Sequence, residues 1–268
     1  MNPLGLTSNF FSSFDEGEME EARQAGFANV EVVFKRAYQG REMIDQADKA
    51  RRAALQAGLC PASAHLPFGK DWDPANIDAD ARGATLAGLK DILRVVGAWG
   101  IPLAVLHASF GAILPQEREE KLEISCRSIR ELSAFAKAVH VTLCVENLPR
   151  TALGNTADEV LRLTDCGRVA PVCFDFNHLL QETHAEFIGK VGALIATTHI
   201  SDYDRVDEKH WLPGEGVIDF YEAVSLLKGC GYQGQLLFEF NREKALPGKT
   251  LCAHDVARRW QTLMEEAR

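Results

Sequence analysis

Histidine and carboxylate side chains recur in this sequence at the ends of short apolar runs. The series consists of His65, His107, Glu146, Asp175, His199 and Glu239. If they were brought together without a counter-ion, three carboxylates and three imidazoles would suffer like-charge repulsion and desolvation. A divalent cation resolves that conflict, and mixed nitrogen and oxygen ligands suit manganese, zinc, cobalt or iron. The residue types therefore predict a metal site, provided that the fold gathers them in one place.

The apolar runs that carry these residues read as strands of a parallel sheet. Near-continuous apolar runs suit strands that are buried on both faces. The predicted strands are Leu4–Phe10, Val30–Phe34, Cys60–His65, Leu103–His107, Thr142–Glu146, Val172–Asp175, Ala196–His199 and Gln235–Glu239. Amphipathic stretches separate them, and several end at a glycine that can cap a helix. The predicted helices are Glu16–Gly26, Glu42–Gly58, Ala79–Gly100, Pro115–His140, Thr156–Cys166, Glu186–Leu194, Asp219–Gly229 and Thr250–Glu266.

Strands that alternate with helices imply parallel crossovers, in a closed barrel or in a doubly wound open sheet. We favour an α/β fold of the (β/α)8 TIM barrel type, because no GxGxxG follows the first strand and the acidic and histidine residues recur at strand ends around the whole chain. The length of 268 residues suits such a barrel. No stretch resembles a linker, so we expect one domain over residues 1–268.

In a barrel all strand C-termini point to one mouth, so the six side chains should converge there. The metal-ligand set that we favour is Glu146, Asp175, His199 and Glu239. His65 and His107 are either further ligands or groups that bind substrate hydroxyls.

The segments that follow two of the strands add candidates for substrate binding. His178 lies three residues after Asp175. The long polar loop after His199 carries Arg205 and His210, and long loops at a barrel mouth are usually functional. The guanidinium of Arg205 could donate a fork of hydrogen bonds to a sugar oxygen or a phosphate. The Gly-rich sequence at residues 213–216 is interpreted as a structural turn.

At these residues the sequence resembles the xylose-isomerase-like barrels, which comprise sugar isomerases and epimerases together with type IV apurinic endonucleases. The motifs that carry the resemblance are SAHLPF with His65, LHASFG with His107, VENLP with Glu146, CFDFNH with Asp175 and His178, THISD with His199, HWLPGEG with His210, and FEF with Glu239. The resemblance covers essentially the whole chain.

The ketose 3-epimerase branch of that family holds one metal with four ligands, which match Glu146, Asp175, His199 and Glu239. The resemblance implies that the two glutamates also move the substrate proton. It implies that His178 and Arg205 hold the carbonyl end of the substrate. A second glutamate of that branch, six residues beyond the first, is replaced here by Ala152, which leaves the identity of the sugar open.

We therefore expect a divalent-metal-dependent isomerase or epimerase that acts on a small sugar or hydroxy-ketone. The metal would stabilise a cis-enediolate, while Glu146 and Glu239 act as the acid/base pair that moves the proton α to the carbonyl. His65, His107, His178, Arg205 and His210 would contact the substrate. We favour manganese as the metal, with zinc, cobalt and magnesium as alternatives.

Two other functions are compatible with the same residues. The first is a metal-dependent hydrolase or lyase, such as a sugar-acid or inosose dehydratase or an apurinic endonuclease with trinuclear zinc. Eight positions match the ligand types of that endonuclease site: His65, His107, Glu146, Asp175, His178, His199, His210 and Glu239. The ninth ligand, an aspartate in that branch, is Glu208 here. The other reading is a barrel that binds a sugar without turnover.

The composition limits the classes of partner and the cellular location that we expect for this protein. The formal net charge of −9 argues against a nucleic-acid partner, because proteins that bind DNA or RNA usually present a basic face. The seven cysteines are scattered and form no CxxC, so neither a disulfide framework nor a thiolate zinc site is expected. No basic-then-apolar leader and no apolar run of membrane-spanning length occur, so we expect a cytoplasmic protein. Family members are often dimers or tetramers, which leaves a homo-oligomer open.

Overall fold

Eight short parallel strands form the centre of the molecule. The computed structural model describes residues 2–14, 16–240 and 251–266. The strands are β1 (Leu4–Thr7), β2 (Asn29–Val33), β3 (Cys60–His65), β4 (Leu103–His107), β5 (Thr142–Glu146), β6 (Val172–Asp175), β7 (Ile195–Ile200) and β8 (Leu236–Phe238). Each strand pairs with the next along the chain, and β8 pairs with β1, which closes the barrel. The predicted (β/α)8 fold is confirmed.

Helices that follow the strands pack around the barrel. Within the described residues they are α1 (Glu16–Gln24), α2 (Gly40–Gln56), α3 (Ala79–Ala98), α4 (Pro115–Ala138), α5 (Ala157–Leu163), α6 (His184–Val191), α7 (Phe220–Gly229) and α8 (Ala253–Glu266). The side chain of Thr183 caps α6 and forms a capping box with Glu186. None of these helices combines the length and the apolar character that crossing a membrane requires.

The apolar core lies mainly between the barrel and its helices. On one side Phe174 packs face to face with Phe187 of α6, with ring centroids 5.0 Å apart. On the other side Leu106 of β4 belongs to the same buried cluster as Leu89 and Leu93 of α3. These contacts hold the outer faces of the strands, while the alternate residues point into the barrel.

The ends of the sequence depart from the predicted elements. The first strand is shorter than expected, because the Oγ1 of Thr7 accepts the backbone N–H of Asn9 and the chain turns into a short 3-10 helix. The Oγ of Ser8 then accepts the N–H of Val33, in place of a further strand pairing. At the other end β8 stops at Phe238, so Glu239 follows the strand. Thr250, the predicted start of the last helix, lies outside the described residues.

Candidate metal centre and active site

The ends of six consecutive strands bring the predicted side chains to one mouth of the barrel. His65, His107, Glu146 and Asp175 are the last residues of β3, β4, β5 and β6. Strand register aligns His107 with Glu146, and Asp175 with His199. The parallel sheet therefore places side chains that are far apart in sequence at one level of the barrel.

The predicted metal ligands form a compact cluster. Glu146, Asp175, His199 and Glu239 each offer one ligand atom, and these atoms all lie within 4.8 Å of one another. The Nδ1 of His199 lies 3.2 Å from Oε1 of Glu146 and 3.0 Å from Oε2 of Glu239. Among the described residues, the buried Oε2 of Glu146 and Oδ2 of Asp175 have no hydrogen-bond partner. An imidazole and three carboxylates, two of which have an unsatisfied oxygen, fit a divalent cation.

Burial and charge set the protonation of this cluster. Burial by itself raises the pKa of Glu146, but His199 and His107 hold that pKa well below its usual range. Burial raises the pKa of Asp175 to about 6, with His178 opposing the shift. Burial lowers the pKa of His199, but the acidic groups around it raise that pKa well above its ordinary value. The pKa shifts of Glu146 and His199 are thus opposite in direction, and the charge of each contributes to the shift of the other.

His65 and His107 face the second oxygen of Glu146. Their Nε2 atoms lie 3.3 Å and 3.1 Å from Oε2 of Glu146. The Nδ1–H of His65 donates to the carbonyl of Leu66 at 2.9 Å, which fixes the ring with Nε2 towards the carboxylate. Burial lowers the pKa of His65, but the nearby carboxylate of Glu146 outweighs it and raises that pKa to about 9. A second possible group of metal ligands, with three members, consists of His65, Glu146 and His199.

A further group of potential ligands lies at the same mouth. His178, Glu208 and His210 place one ligand atom each within 4.8 Å of one another. The Nδ1–H of His178 donates to the carbonyl of Asn147 at 2.8 Å. The Oε2 of Glu208 accepts from Arg150 at 2.9 Å. His210, whose Nε2 lies 3.8 Å from Oε1 of Glu208, lowers the pKa of Glu208 to about 2. Burial lowers the pKa of His210, but Glu208 outweighs it and raises that pKa to about 9.

A cavity of about 400 Å³ opens above these side chains. Its polar lining includes His65, His107, Glu146, His178, Glu208, His210 and Glu239. Its rim is partly aromatic: Phe68 stacks on His107 with ring centroids 4.3 Å apart, and the guanidinium of Arg36 lies 5.3 Å from the Phe68 ring. The volume and the lining suit a small polar ligand. Ala152 also lines the cavity, so the departure from the ketose 3-epimerase pattern falls on its wall.

The structure does not bring Arg205 to this cavity. Arg205 is exposed and lines a separate surface cleft with Thr183, His184 and Tyr203. Its backbone φ of 61° directs the chain through a turn at this point. The expected substrate contact of Arg205 therefore has no support in the geometry, although the other predicted site residues converge.

Three charged residues near the mouth were not identified from the sequence. Glu31 of β2 is fully buried, and its Oε1 lies 3.1 Å from Nε2 of His199. Arg36 and Arg150 line the cavity, and each follows a strand within a few residues. Two features of the sequence could have identified them. Glu31 lies between two valines in a predicted buried strand, and the two arginines lie just after strand ends.

Comparison with known sequences identifies the family to which the chain belongs. The sequence profile of a family described as xylose isomerase-like TIM barrel matches residues 19–262. The uncharacterized protein MJ1311 of Methanocaldococcus jannaschii is 26% identical over 184 residues, which cover 65% of this chain and 62% of that protein. The chain thus spans about three fifths of the length of the curated relatives it matches.

Solved structures share the fold. A D-tagatose 3-epimerase-like protein has a TM-score of 0.80 at 22% identity, covering 99% of this chain and 98% of that chain. The D-psicose 3-epimerase of Clostridium cellulolyticum H10, solved with D-tagatose, has a TM-score of 0.74 at 20% identity, covering 100% and 98%. At these identities the likeness establishes a common architecture.

Proposed function

This chain belongs to the family of xylose isomerase-like TIM barrels, and we propose that it is a metal-dependent epimerase or isomerase of a small sugar or hydroxy-ketone. One observation carries the proposal. Of the four candidate metal ligands, Glu146 and Glu239 line the cavity, whereas Asp175 and His199 are fully buried. The two glutamates are thus the ligands that can also reach a substrate. The names of the 3-epimerases that share the fold support the same reaction class.

The two glutamates divide the proton transfer. When bound, a divalent cation supplies Lewis-acid stabilisation of negative charge at the substrate carbonyl. Glu146 or Glu239 removes the proton from the α-carbon, and the other glutamate returns a proton on the opposite face, which gives epimerisation. Return of the proton to the adjacent carbon gives aldose–ketose isomerisation. Burial raises the pKa of Glu239, but His199 outweighs it and keeps that pKa low, so the group is ionised at neutral pH.

The other cavity residues orient the substrate. His107, His178 and His210 line the cavity and can offer a ring nitrogen to substrate hydroxyl groups, whereas both ring nitrogens of His65 face protein groups. Arg150, rather than Arg205, supplies a guanidinium at the rim. With alanine at position 152, the wall lacks the second glutamate that the resemblance to the ketose 3-epimerases implies, which leaves the identity of the sugar open. We favour manganese because three of the four ligands are carboxylates, and zinc, cobalt and magnesium are the alternatives.

Deuterium exchange tests the reaction. The manganese-loaded protein is incubated with a panel of ketoses in D2O, and NMR follows the α-proton and the product. We expect exchange with the correct sugar, and a loss of about 10²–10⁴-fold in turnover for Glu239→Gln and for Glu146→Gln, the range typical of general base catalysis. Glu131→Gln, an exposed change on α4, is the matched control. Full activity of Glu239→Gln at normal metal content would refute the two-glutamate scheme.

A metal-dependent hydrolase is the second candidate, and the group formed by His178, Glu208 and His210 favours it. Elemental mass spectrometry on protein purified without chelators separates the two. About one metal per chain supports the isomerase, whereas two or three zinc ions together with cleavage of an abasic oligonucleotide support the hydrolase.

A further inference from the structure

We propose that Glu31 is a positioning residue that holds the metal-facing imidazole of His199, an inference that rests on the proposed metal site. The two ring nitrogens of His199 face different groups. Its Nδ1 lies 3.0 Å from Oε2 of Glu239 and 3.2 Å from Oε1 of Glu146, within the ligand cluster. Its Nε2 lies 3.1 Å from Oε1 of Glu31. Glu31 therefore contacts Nε2, the ring nitrogen of His199 that does not face the ligand cluster.

The contact joins two unsatisfied polar atoms. Oε1 of Glu31 and Nε2 of His199 are both buried, and neither has a hydrogen-bond partner among the residues that the structure describes. Buried polar atoms without partners are rare in proteins. A small rotation of the ring would align Nε2–H on the carboxylate. Histidines that bind metals usually donate their second N–H to a carboxylate or a carbonyl, which fixes both the tautomer and the ring orientation.

Strand geometry points Glu31 into the barrel. Its neighbours Val30 and Val32 pack in the apolar clusters between barrel and helices. Since alternate residues of a strand point to opposite faces, Glu31 lies on the inner face. Within the described part of the chain, the ion pair of Glu31 is with His199 and with no lysine or arginine. A buried carboxylate is costly unless it is paired, so a group of this kind indicates a role at the site.

Polar side chains inside the barrel fix the other oxygen of Glu31. The hydroxyl of Ser63 donates to Oε2 of Glu31 at 2.7 Å. The Nε2 of Gln235 donates to Ser63 at 3.0 Å and to Thr197 at 3.1 Å. These residues come from different strands or strand edges, so the carboxylate is held by the barrel itself. A carboxylate fixed in this way can orient His199 before a metal arrives.

Metal affinity of the stripped protein tests the role of Glu31. Wild type and Glu31→Gln are freed of metal with a chelator, and Mn²⁺ binding is measured by titration calorimetry. We expect Glu31→Gln to bind Mn²⁺ about 10–100-fold more weakly, the range typical of lost outer-shell partners. The metal-free unfolding temperature is measured beside the affinity, because loss of a purely structural contact would lower that temperature and leave the affinity unchanged. Asp73→Asn, a buried carboxylate-to-amide change in the β3–α3 connection, is the matched control and should keep wild-type affinity.

The outcomes separate this inference from the proposed function. Equal affinity of wild type and Glu31→Gln overturns the inference, and so does a variant that loses metal-free stability while affinity stays unchanged. If Glu31→Gln does not fold, Ser63→Ala removes the hydrogen bond to Oε2 and should weaken Mn²⁺ binding several-fold; unchanged affinity then overturns the inference. If wild type itself binds no divalent metal, the proposed function fails first.

Discussion

At the scale of single residues, burial controls protonation outside the site as well. His184 begins α6, and its Nε2–H donates to the carbonyl of Phe176 at 2.9 Å. Its ring lies 5.6 Å from the Phe176 ring and 6.3 Å from the Tyr203 ring, measured between centroids. Burial lowers the pKa of His184 from 6.5 to about 4. The folded protein thus keeps this imidazole neutral under mildly acidic conditions.

This shift predicts a loss of stability in acid. The folded-state pKa of about 4 lies below the ordinary value of 6.5, so as the pH falls the unfolded chain takes up the proton first. The stabilising contribution is complete above pH 6.5 and is lost as the pH falls towards 4. We expect the difference in unfolding temperature between wild type and His184→Gln, measured in chelator, to shrink across that window. A constant difference for His184→Gln would contradict the prediction.

At the scale of elements, one carboxylate shapes the loop between β7 and α7. Asp202 is fully buried. Its oxygens accept the backbone N–H groups of Tyr203, Gly214, Gly216 and Ile218. The backbones of Asp202 and Trp211 also pair with each other. The loop that carries Glu208 and His210 is therefore tied to the end of β7, which sets where those two side chains lie.

Close packing at Gly216 predicts opposite effects for two glycine substitutions. A Cβ at Gly216 would overlap the carbonyl oxygen of Tyr203 and the carboxylate of Asp202, whereas a Cβ at Gly189 in α6 would meet nothing within 4 Å. We expect Gly216→Ala to lower the free energy of unfolding by about 1–3 kcal/mol, since overpacking forces the backbone to move. Gly189→Ala should raise it by about 0.5–1 kcal/mol, because alanine favours a helix. Urea unfolding measures both, and wild-type stability of Gly216→Ala would show that the loop adapts.

At the scale of the whole molecule, the barrel concentrates acidic groups at one end. The cluster at the mouth contains three carboxylates, one of which is fully buried and another 1% exposed. Strand pairing around the closed barrel holds the backbones that carry these groups close together. A bound cation should therefore stabilise the folded state as a whole.

Calorimetry with and without metal measures that coupling. A ligand at one hundred times its Kd stabilises the folded state by about 2.7 kcal/mol. For a chain of this size we expect saturating Mn²⁺ to raise the Tm by roughly 5–10 °C, and a chelator to reverse the rise. Asp175→Asn, which removes a ligand charge, should lose most of the shift. Absence of a shift with Mn²⁺, Zn²⁺, Co²⁺ and Mg²⁺ would argue against a metal site in this cluster.

The sequence by itself was sufficient to predict the barrel and most of the residues that meet at its mouth. The bounds predicted for β3 to β6 agree with the structure residue for residue, because apolar runs ended by polar or turn residues are local features. The positions of Glu146, Asp175, His199 and Glu239 at strand ends, together with the parallel arrangement, placed them in one cluster. The family resemblance seen in their motifs is likewise confirmed.

Tertiary structure decided what depends on the path of a loop or on the direction of a side chain. Arg205 and Arg150 both follow strands, but Arg150 lines the cavity and Arg205 an outer cleft. The bonds that Asp202 makes to its loop fix that outcome, and their partners are up to 16 residues away. Glu31 points at His199 because neighbouring strands set its register, a long-range pairing that no local pattern encodes.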